Sequence, residues 1–234
     1  MELQKLYSLT RQAIEDYDMI ADGDCIAAGI SGGKDSLTML YALAGLQKFY
    51  PKRFTLKAIT VDLGYPGFDL SEISALCAKL GVEYHILSTK IMEMLPADPD
   101  HVPCSLCSRL RKGALNQKAL ELGCNKIAYA HHMDDAVETM MLSLIYEGDF
   151  HSFDPVTHWE RTGLVLIRPM IYLTEKNVIG FKNKMHLPIA STGCPYEPET
   201  ERAYVKELLR DINHHAPGVK QRMLTAIRKR WDSR

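Results

Sequence analysis

Two stretches of the 234-residue sequence combine reactive side chains with informative spacing. Ser31-Gly-Gly-Lys-Asp-Ser36 follows a short apolar run, Asp24 to Ile30, and opens a helical pattern. Gly32 and Gly33 let the backbone approach phosphate oxygens closely, and the first helical turn offers N–H donors to an anion. Ser31 and Ser36 add hydroxyl donors and Lys34 adds a positive charge. Asp35 is unusual in an anion site and suits a helix cap or a Mg²⁺ ligand. A Walker loop fails here because Asp35 follows Lys34 and Ala28 stands where the first glycine belongs. A dinucleotide fingerprint fails because Gly29-Ile-Ser-Gly-Gly33 lacks its glycine spacing.

The second stretch is Cys104-Ser-Leu-Cys107, set among Pro103, Ser105 and Arg109 and not in an apolar run. Cys25, Cys77 and Cys124 lie in apolar or helical patterns and read as small core residues. A two-residue gap suits a zinc half-site, a redox pair or two ligands of an iron–sulfur cluster. No second such pair exists, and the remaining cysteine in polar sequence is Cys194. His101, His131 or His132 would complete a zinc site, whereas three thiolates leave one iron of a 4Fe-4S cluster open. Between these stretches and Cys194 lies Ala130-His-His-Met-Asp-Asp135, whose carboxylates sit at a strand-to-helix junction. At least one of Asp134 and Asp135 should face the crevice to hold Mg²⁺ or manage a proton, with N-capping as the plainer role for Asp134.

The elements that position these residues follow from periodicity. Helices are expected over 3–20, 35–48, 71–80, 105–122, 134–146, 174–185, 199–212 and 218–231. Strands are expected over 24–30, 54–61, 82–87, 126–130 and 164–167, and the segment 88–103 reads as an irregular loop. Strands alternating with helices predict an α/β fold with a doubly wound parallel five-stranded sheet and C-terminal helices. The expected division is a 1–187 α/β domain carrying the phosphate-binding loop, with an N-terminal helix and the cysteine insertion, then a 188–234 helical appendage carrying the third cysteine.

Composition narrows the class. The chain is 46% apolar and 24% charged, so it has enough apolar surface to fold without general disorder. No apolar run approaches the length of a membrane span, and acids interrupt the first twenty residues, so neither a transmembrane helix nor a signal peptide is expected. A cytoplasmic protein is the expectation. Net charge of −1 gives no global footprint for nucleic acid, but residues 201–234 hold nine Lys or Arg against four acids. Such a segment suits either solvent or a polyanion.

Ser31 to Ser36 resembles the pyrophosphate loop of the PP-loop (N-type ATP pyrophosphatase) proteins. Cys104-Ser-Leu-Cys-Ser-Arg-Leu-Arg-Lys-Gly113, Ala130 to Thr139 and Ile167-Arg-Pro-Met170 resemble the TtcA-type tRNA 2-thiocytidine synthetases of that superfamily, over about Leu3 to Trp231. The resemblance implies a sheet of the adenine nucleotide alpha-hydrolase (HUP-like) type. It further implies ATP contacts at Ala28, Gly29, Ser31, Gly32, Gly33, Lys34, Asp35, Ser36, Val61, Ala130 and Asp135, and Cys104, Cys107 and Cys194 as 4Fe-4S ligands. Lys34, Asp135 and Arg111 are the expected catalytic groups. Arg111 stands where related thiouridine synthetases carry a lysine, and as an arginine it stabilises charge without acting as a base.

The expected activity is sulfur transfer: MgATP adenylates the C2 oxygen of an anticodon-loop cytidine, and sulfur replaces it with release of AMP. Expected partners are tRNA, a sulfur donor such as a cysteine desulfurase system, and a second copy in a homodimer, with no membrane. The alternatives are a sulfurtransferase for another tRNA base or a small molecule, and an ATP-dependent amide-forming ligase with structural zinc.

Overall fold

Ile26 and Ala28 face one side of the first strand and Ala27 faces the other, and all three are fully buried. Burial on both faces requires helices on both faces, which is what the chain supplies. The computed structural model describes residues 1–95, 104–190 and 201–232. In chain order its elements are α1 (Leu3–Asp16), β1 (Asp24–Gly29), α2 (Lys34–Leu46), β2 (Phe54–Asp62), α3 (Ser71–Leu80), β3 (Glu83–Ser88) and the short α4 (Ile91–Met94). There follow α5 (Cys104–Glu121), β4 (Lys126–Ala128), α6 (Met133–Leu142) running into a π-helical turn (Ser143–Glu147), β5 (Val156–Trp159) and β6 (Leu164–Ile167). The chain continues through α7 (Glu175–Met185), α8 (Glu201–His215) and α9 (Val219–Trp231).

The sheet runs β3-β2-β1-β4-β6-β5 and is parallel except for β5, which pairs antiparallel with β6. Six strands replace the five expected. Val156-Thr-His-Trp159 is four residues long and only partly buried, so it carries little of the apolar signal that marks an inner strand. It forms through its pairing of Val156 with Ile167 and Trp159 with Leu164.

Three further boundaries differ. The first helix stops at Asp16 and not at Ile20: Asp18 adopts φ +43, and Met19 and Ile20 enter the core from the turn that follows. The expected helix through Tyr146 changes to π geometry at Ser143. The segment expected as loop contains the helical turn α4, while residues 96–103 lie outside the described residues. By contrast α7 starts at Thr174 as expected, because Thr174 Oγ1 accepts from Asn177 N and Asn177 Oδ1 accepts from Thr174 N, each at 3.1 Å.

One apolar core joins α1, α2 and α6 to the sheet and also takes in Val205 and Leu209 of α8 and Leu224, Ile227 and Trp231 of α9. The other face is covered by α5, whose Leu115 and Ala119 pack with Ala27, Ile59, Ile127 and Leu166. The strand order reverses at β1, which lies between β2 and β4. Such a switch point opens a crevice beyond the carboxyl ends of the strands.

Candidate active site

A cavity of about 340 Å³ fills that crevice. Its floor comes from Gly29, Ile30 and Ser31 after β1 and from Ile59 and Val61 of β2. Asp35 and Ser36 of α2, Ala130 and His131 after β4, and Asp135 of α6 form one wall. Ser108, Arg111, Lys112 and Leu115 of α5 form the opposite wall.

The loop at the start of α2 holds itself open for an anion. Ser31 N and Ser31 Oγ each lie 3.2 Å from Ser36 Oγ, which donates to Gly33 O at 2.9 Å. Gly33 is the N-cap and contributes no side chain, so no side-chain oxygen occupies the first N–H groups of α2. Gly32 needs its glycine: φ is +85°, and a Cβ there would meet Ala190 Cβ at 3.2 Å. A Cβ on Gly29 would meet Leu115 Cδ2 at 3.1 Å, so α5 approaches the end of β1 closely.

Of the expected nucleotide contacts, Gly29, Ser31, Asp35, Ser36, Val61, Ala130 and Asp135 line the cavity together. Ala28, Gly32, Gly33 and Lys34 do not line it. Ala28 is fully buried beneath the strand end. The Lys34 ammonium is turned to acids, 3.0 Å from Asp35 Oδ2 and 3.5 Å from Glu175 Oε1. Burial opposes its charge, but Asp35 and Glu175 outweigh burial and hold its pKa above the ordinary lysine value. Glu175 is itself shared with Lys206 of α8 at 2.6 Å.

The paired carboxylates of α6 divide their roles. The helix is capped by His132, whose Nδ1 accepts from Asp135 N, while Asp135 Oδ2 accepts from His132 N at 2.8 Å. The expected cap at Asp134 is therefore corrected: position N3 of the box is Asp135, and Asp134 turns away from the cavity. Asp134 Oδ1 takes Lys220 of α9 at 2.9 Å and Oδ2 accepts from Glu175 N at 2.7 Å. Burial would raise its pKa, but Lys220 and the Glu175 N–H overcome burial and lower it. Asp135 faces the cavity with Arg202 Nη1 4.0 Å away.

Asp35 Oδ1 is a buried acceptor with no hydrogen bond, His132 Nε2 standing 3.5 Å from it without completing one. An orphaned carboxylate oxygen in the cavity that Asp135 also lines suits Mg²⁺, which takes one or two protein carboxylates and completes its shell with water and substrate phosphates.

On α5, positions 104, 107, 108, 111, 112 and 115 fall at helical intervals of three and four, so the thiols continue the face that walls the cavity. Cys104 is exposed and Cys107 half-buried. Cys77 and Cys124 are buried, and burial pushes the Cys77 thiol up to about 11, the state of an inert thiol at neutral pH. Cys25 Sγ lies 3.3 Å from Cys124 Sγ at the other end of the sheet's first strand. Among the described residues no three His, Cys, Asp or Glu side chains converge on one metal position. Of the three expected thiolates, Cys104 is exposed at the start of α5 and Cys107, one turn on, packs against the apolar cluster under that helix. Cys194 lies outside the described residues.

Comparison with known proteins matches this arrangement to one family. The family model of the PP-loop domain fits residues 4–211. The chain belongs to the PP-loop family. Among PP-loop proteins it is similar to a tRNA-cytidine(32) 2-sulfurtransferase of Geobacter sulfurreducens, 34% identical over 96% of this chain and 89% of that one. It is 38% identical to a protein of the same description from Anaeromyxobacter dehalogenans, over 96% of this chain and 78% of that one. A solved PP-loop structure, the U34-tRNA thiolase NcsA from Methanococcus maripaludis with its 4Fe-4S cluster, superposes with TM-score 0.80 at 26% identity, covering 98% of this chain and 78% of that one.

Several cavity residues escaped the sequence reading. Leu63, Tyr65 and Phe68 follow β2, and Tyr129 precedes Ala130, while His131, weighed from sequence as a zinc ligand, lines the cavity instead. Lys112 was legible as the neighbour of Arg111 on the same helix face, since both line the cavity. Burial, Arg111 and Arg168 lower the Lys112 pKa. In the basic C-terminal segment three arginines have partners within the chain. Arg222 donates to Pro217 O and Ala216 O, Arg228 stacks over Tyr172 and Arg230 over Phe150. No described helix is long and apolar enough to cross a membrane.

Proposed function

We propose that this protein uses MgATP to replace the C2 oxygen of cytidine 32 of tRNA with sulfur, the activity by which its relatives are described. The observation that carries the proposal is the continuity of one cavity, from the phosphate loop at Ser31 to the α5 face that begins with Cys104 and Cys107. An ATP site walled by Ser108, Arg111 and Lys112 of α5, with a thiol pair in the first turn of that same helix, suits a reaction that activates an oxygen and then exchanges it for sulfur.

The reaction joins cytidine O2 to the α-phosphorus of ATP, releases pyrophosphate, then forms C2–S and expels AMP. Cytosine O2 carries no proton, so the first step needs alignment and charge stabilisation more than a base. Ser31, Ser36 and the open N–H groups of α2 hold phosphate oxygens. Asp35 and Asp135 would hold Mg²⁺, which would supply positive charge to offset that of the phosphates. Lys34 exchanges its acidic neighbours for phosphate when nucleotide enters, and Glu175 keeps Lys206 as its partner. Arg111, fixed in charge, stabilises the developing negative charge from the α5 side. A 4Fe-4S cluster on Cys104, Cys107 and Cys194 would supply, when bound, an iron open to a sulfide.

In this reading residues 1–187 bind ATP and residues 188–234 contribute the third thiolate. A cysteine desulfurase system supplies the sulfur, the active form is a homodimer, and a tRNA substrate puts the reaction in the cytoplasm. Iron and acid-labile sulfide analysis of anaerobically purified protein tests the cluster. The account expects about four irons per chain, with Cys104→Ala and Cys107→Ala losing iron while ATP still binds. Stoichiometric zinc in fully active protein contradicts it.

A further inference from the structure

Arg168, just beyond β6, is buried to 7% exposure, and its Nε and Nη1 donors have partners. Its Nη1 donates to Asp154 O and, at 3.0 Å, to Thr157 Oγ1 of β5, and its guanidinium lies 4.7 Å from the Phe153 ring centre. Its Nε donates to His131 Nδ1 at 3.2 Å. His131 stacks on Phe153 with ring centres 4.9 Å apart and meets Tyr129 edge-on, so the imidazole plane is fixed from both sides.

A guanidinium can only donate, so His131 Nδ1 must keep its lone pair. A neutral imidazole has one donor and one acceptor nitrogen, and its proton is then on Nε2. Because His131 lines the cavity, Nε2–H is the polar group its ring has left to offer a ligand.

We propose that His131 is a specificity-determining residue whose fixed Nε2–H donates to N3 of the target cytosine, and that Arg168 is the positioning residue that sets its tautomer. This deepens the tRNA–cytidine reading and rests on it. The chemistry of the reacting atom singles out N3. C2 has two ring neighbours, N1, which carries the ribose, and N3. A donor flanking C2 away from the sugar therefore meets N3, an acceptor in cytosine and an N–H in uracil. A uridine in the same place would set two donors against each other, the kind of mismatch that discriminates strongly in a buried site.

The surrounding charges keep the ring in this state. Burial, then Arg168, then Lys112 of α5, Arg202 of α8 and the adjacent His132 hold the His131 pKa down to about 3. The ring is thus a donor throughout the neutral range and is not available as a proton acceptor from substrate.

Two measurements test this. Imidazole ¹⁵N NMR of the full protein should show His131 protonated on Nε2 alone and unchanged from about pH 5 to pH 8, and Arg168→Met, which removes the donor to Nδ1, should let the Nδ1–H tautomer appear while burial still keeps the ring neutral. A wild-type ring that titrates between about pH 6 and 7, or carries its proton on Nδ1, overturns the tautomer assignment. The second measurement is pyrophosphate release with tRNA carrying C or U at the target position. His131→Phe should cut the C-over-U ratio of kcat/KM by roughly 100-fold or more, through a loss for C and a gain for U, and His131→Gln should recover part of the preference. A Phe variant that keeps the full preference for C overturns the base-reading role. Wild-type protein that turns over neither tRNA overturns the tRNA reading instead, and the role of His131 with it.

Discussion

Lys220 Nζ on α9 lies 2.9 Å from Asp134 Oδ1, so a C-terminal helix is tied to the carboxylate next to the one that faces the cavity. Asp134 is 5% exposed, and its other oxygen holds the first N–H of α7. The two adjacent aspartates therefore differ in surroundings: Asp134 is tied to α7 and α9, whereas Asp135 completes the cap of α6 and lines the cavity.

Lys220→Met should destabilise the protein by about 3 kcal/mol at neutral pH, because it leaves a buried carboxylate without its cation. The pH dependence has a definite sign. In the wild type the folded pKa of Asp134 lies below its ordinary value, so its contribution is present above the usual carboxylate range and lost as pH falls through the folded pKa. In the variant, burial acts with less opposition and the folded pKa rises, so the deficit shrinks as pH falls. Urea unfolding at pH 7 and at the lowest pH where both proteins fold reads this difference.

Asp135→Asn should change the other property. Asparagine keeps an oxygen to accept from His132 N, so the helix cap persists and stability should stay within about 1 kcal/mol of wild type. Turnover of MgATP should fall by roughly 100-fold, the loss expected for one electrostatic contact in the transition state. Asp134→Asn should show the reverse pattern, and comparison of the two in one unfolding assay and one pyrophosphate assay checks it.

Lys34→Ala should slow ATP turnover by about 2–4 kcal/mol in the transition state. The products should be AMP and pyrophosphate in wild type and variant alike, since the residue contributes charge and not bond choice. Chromatography of the nucleotide products checks this, and stoichiometric ADP would remove the assigned chemistry.

How far the sequence reaches depends on the kind of signal. Buried parallel strands such as Asp24–Gly29 and a capping box such as Thr174 to Asn177 are local, and both were legible. The phosphate loop was legible because its glycines and hydroxyls act within six consecutive residues. β5 was not, because it owes its place to pairing with β6. Its absence from the sequence reading also hid Arg168's anchor at Thr157, and with it the state of His131. Asp134 and Asp135 could be seen as a pair, but only the distant Lys220 and Glu175 distinguish them.

The basic helices give a prediction that separates charges by their partners. Arg222 already caps the end of α8 through Ala216 O and Pro217 O, so Arg222→Ala should leave the salt dependence of tRNA binding unchanged. Lys229 is exposed on α9, and Lys229→Ala should shallow the slope by about 0.7 to 0.9. Equal slopes in wild type and both variants would remove α9 from the RNA-binding surface.

The central claim is that this cavity thiolates a tRNA cytidine. Mass spectrometry of nucleosides, from tRNA incubated with anaerobically reconstituted protein, MgATP and sulfide, tests it most directly. The account predicts 2-thiocytidine in amounts matching the AMP released, and none when Cys104 or Cys107 is alanine. AMP release without any thiolated nucleoside, or sulfur found on a base other than cytidine, would contradict it.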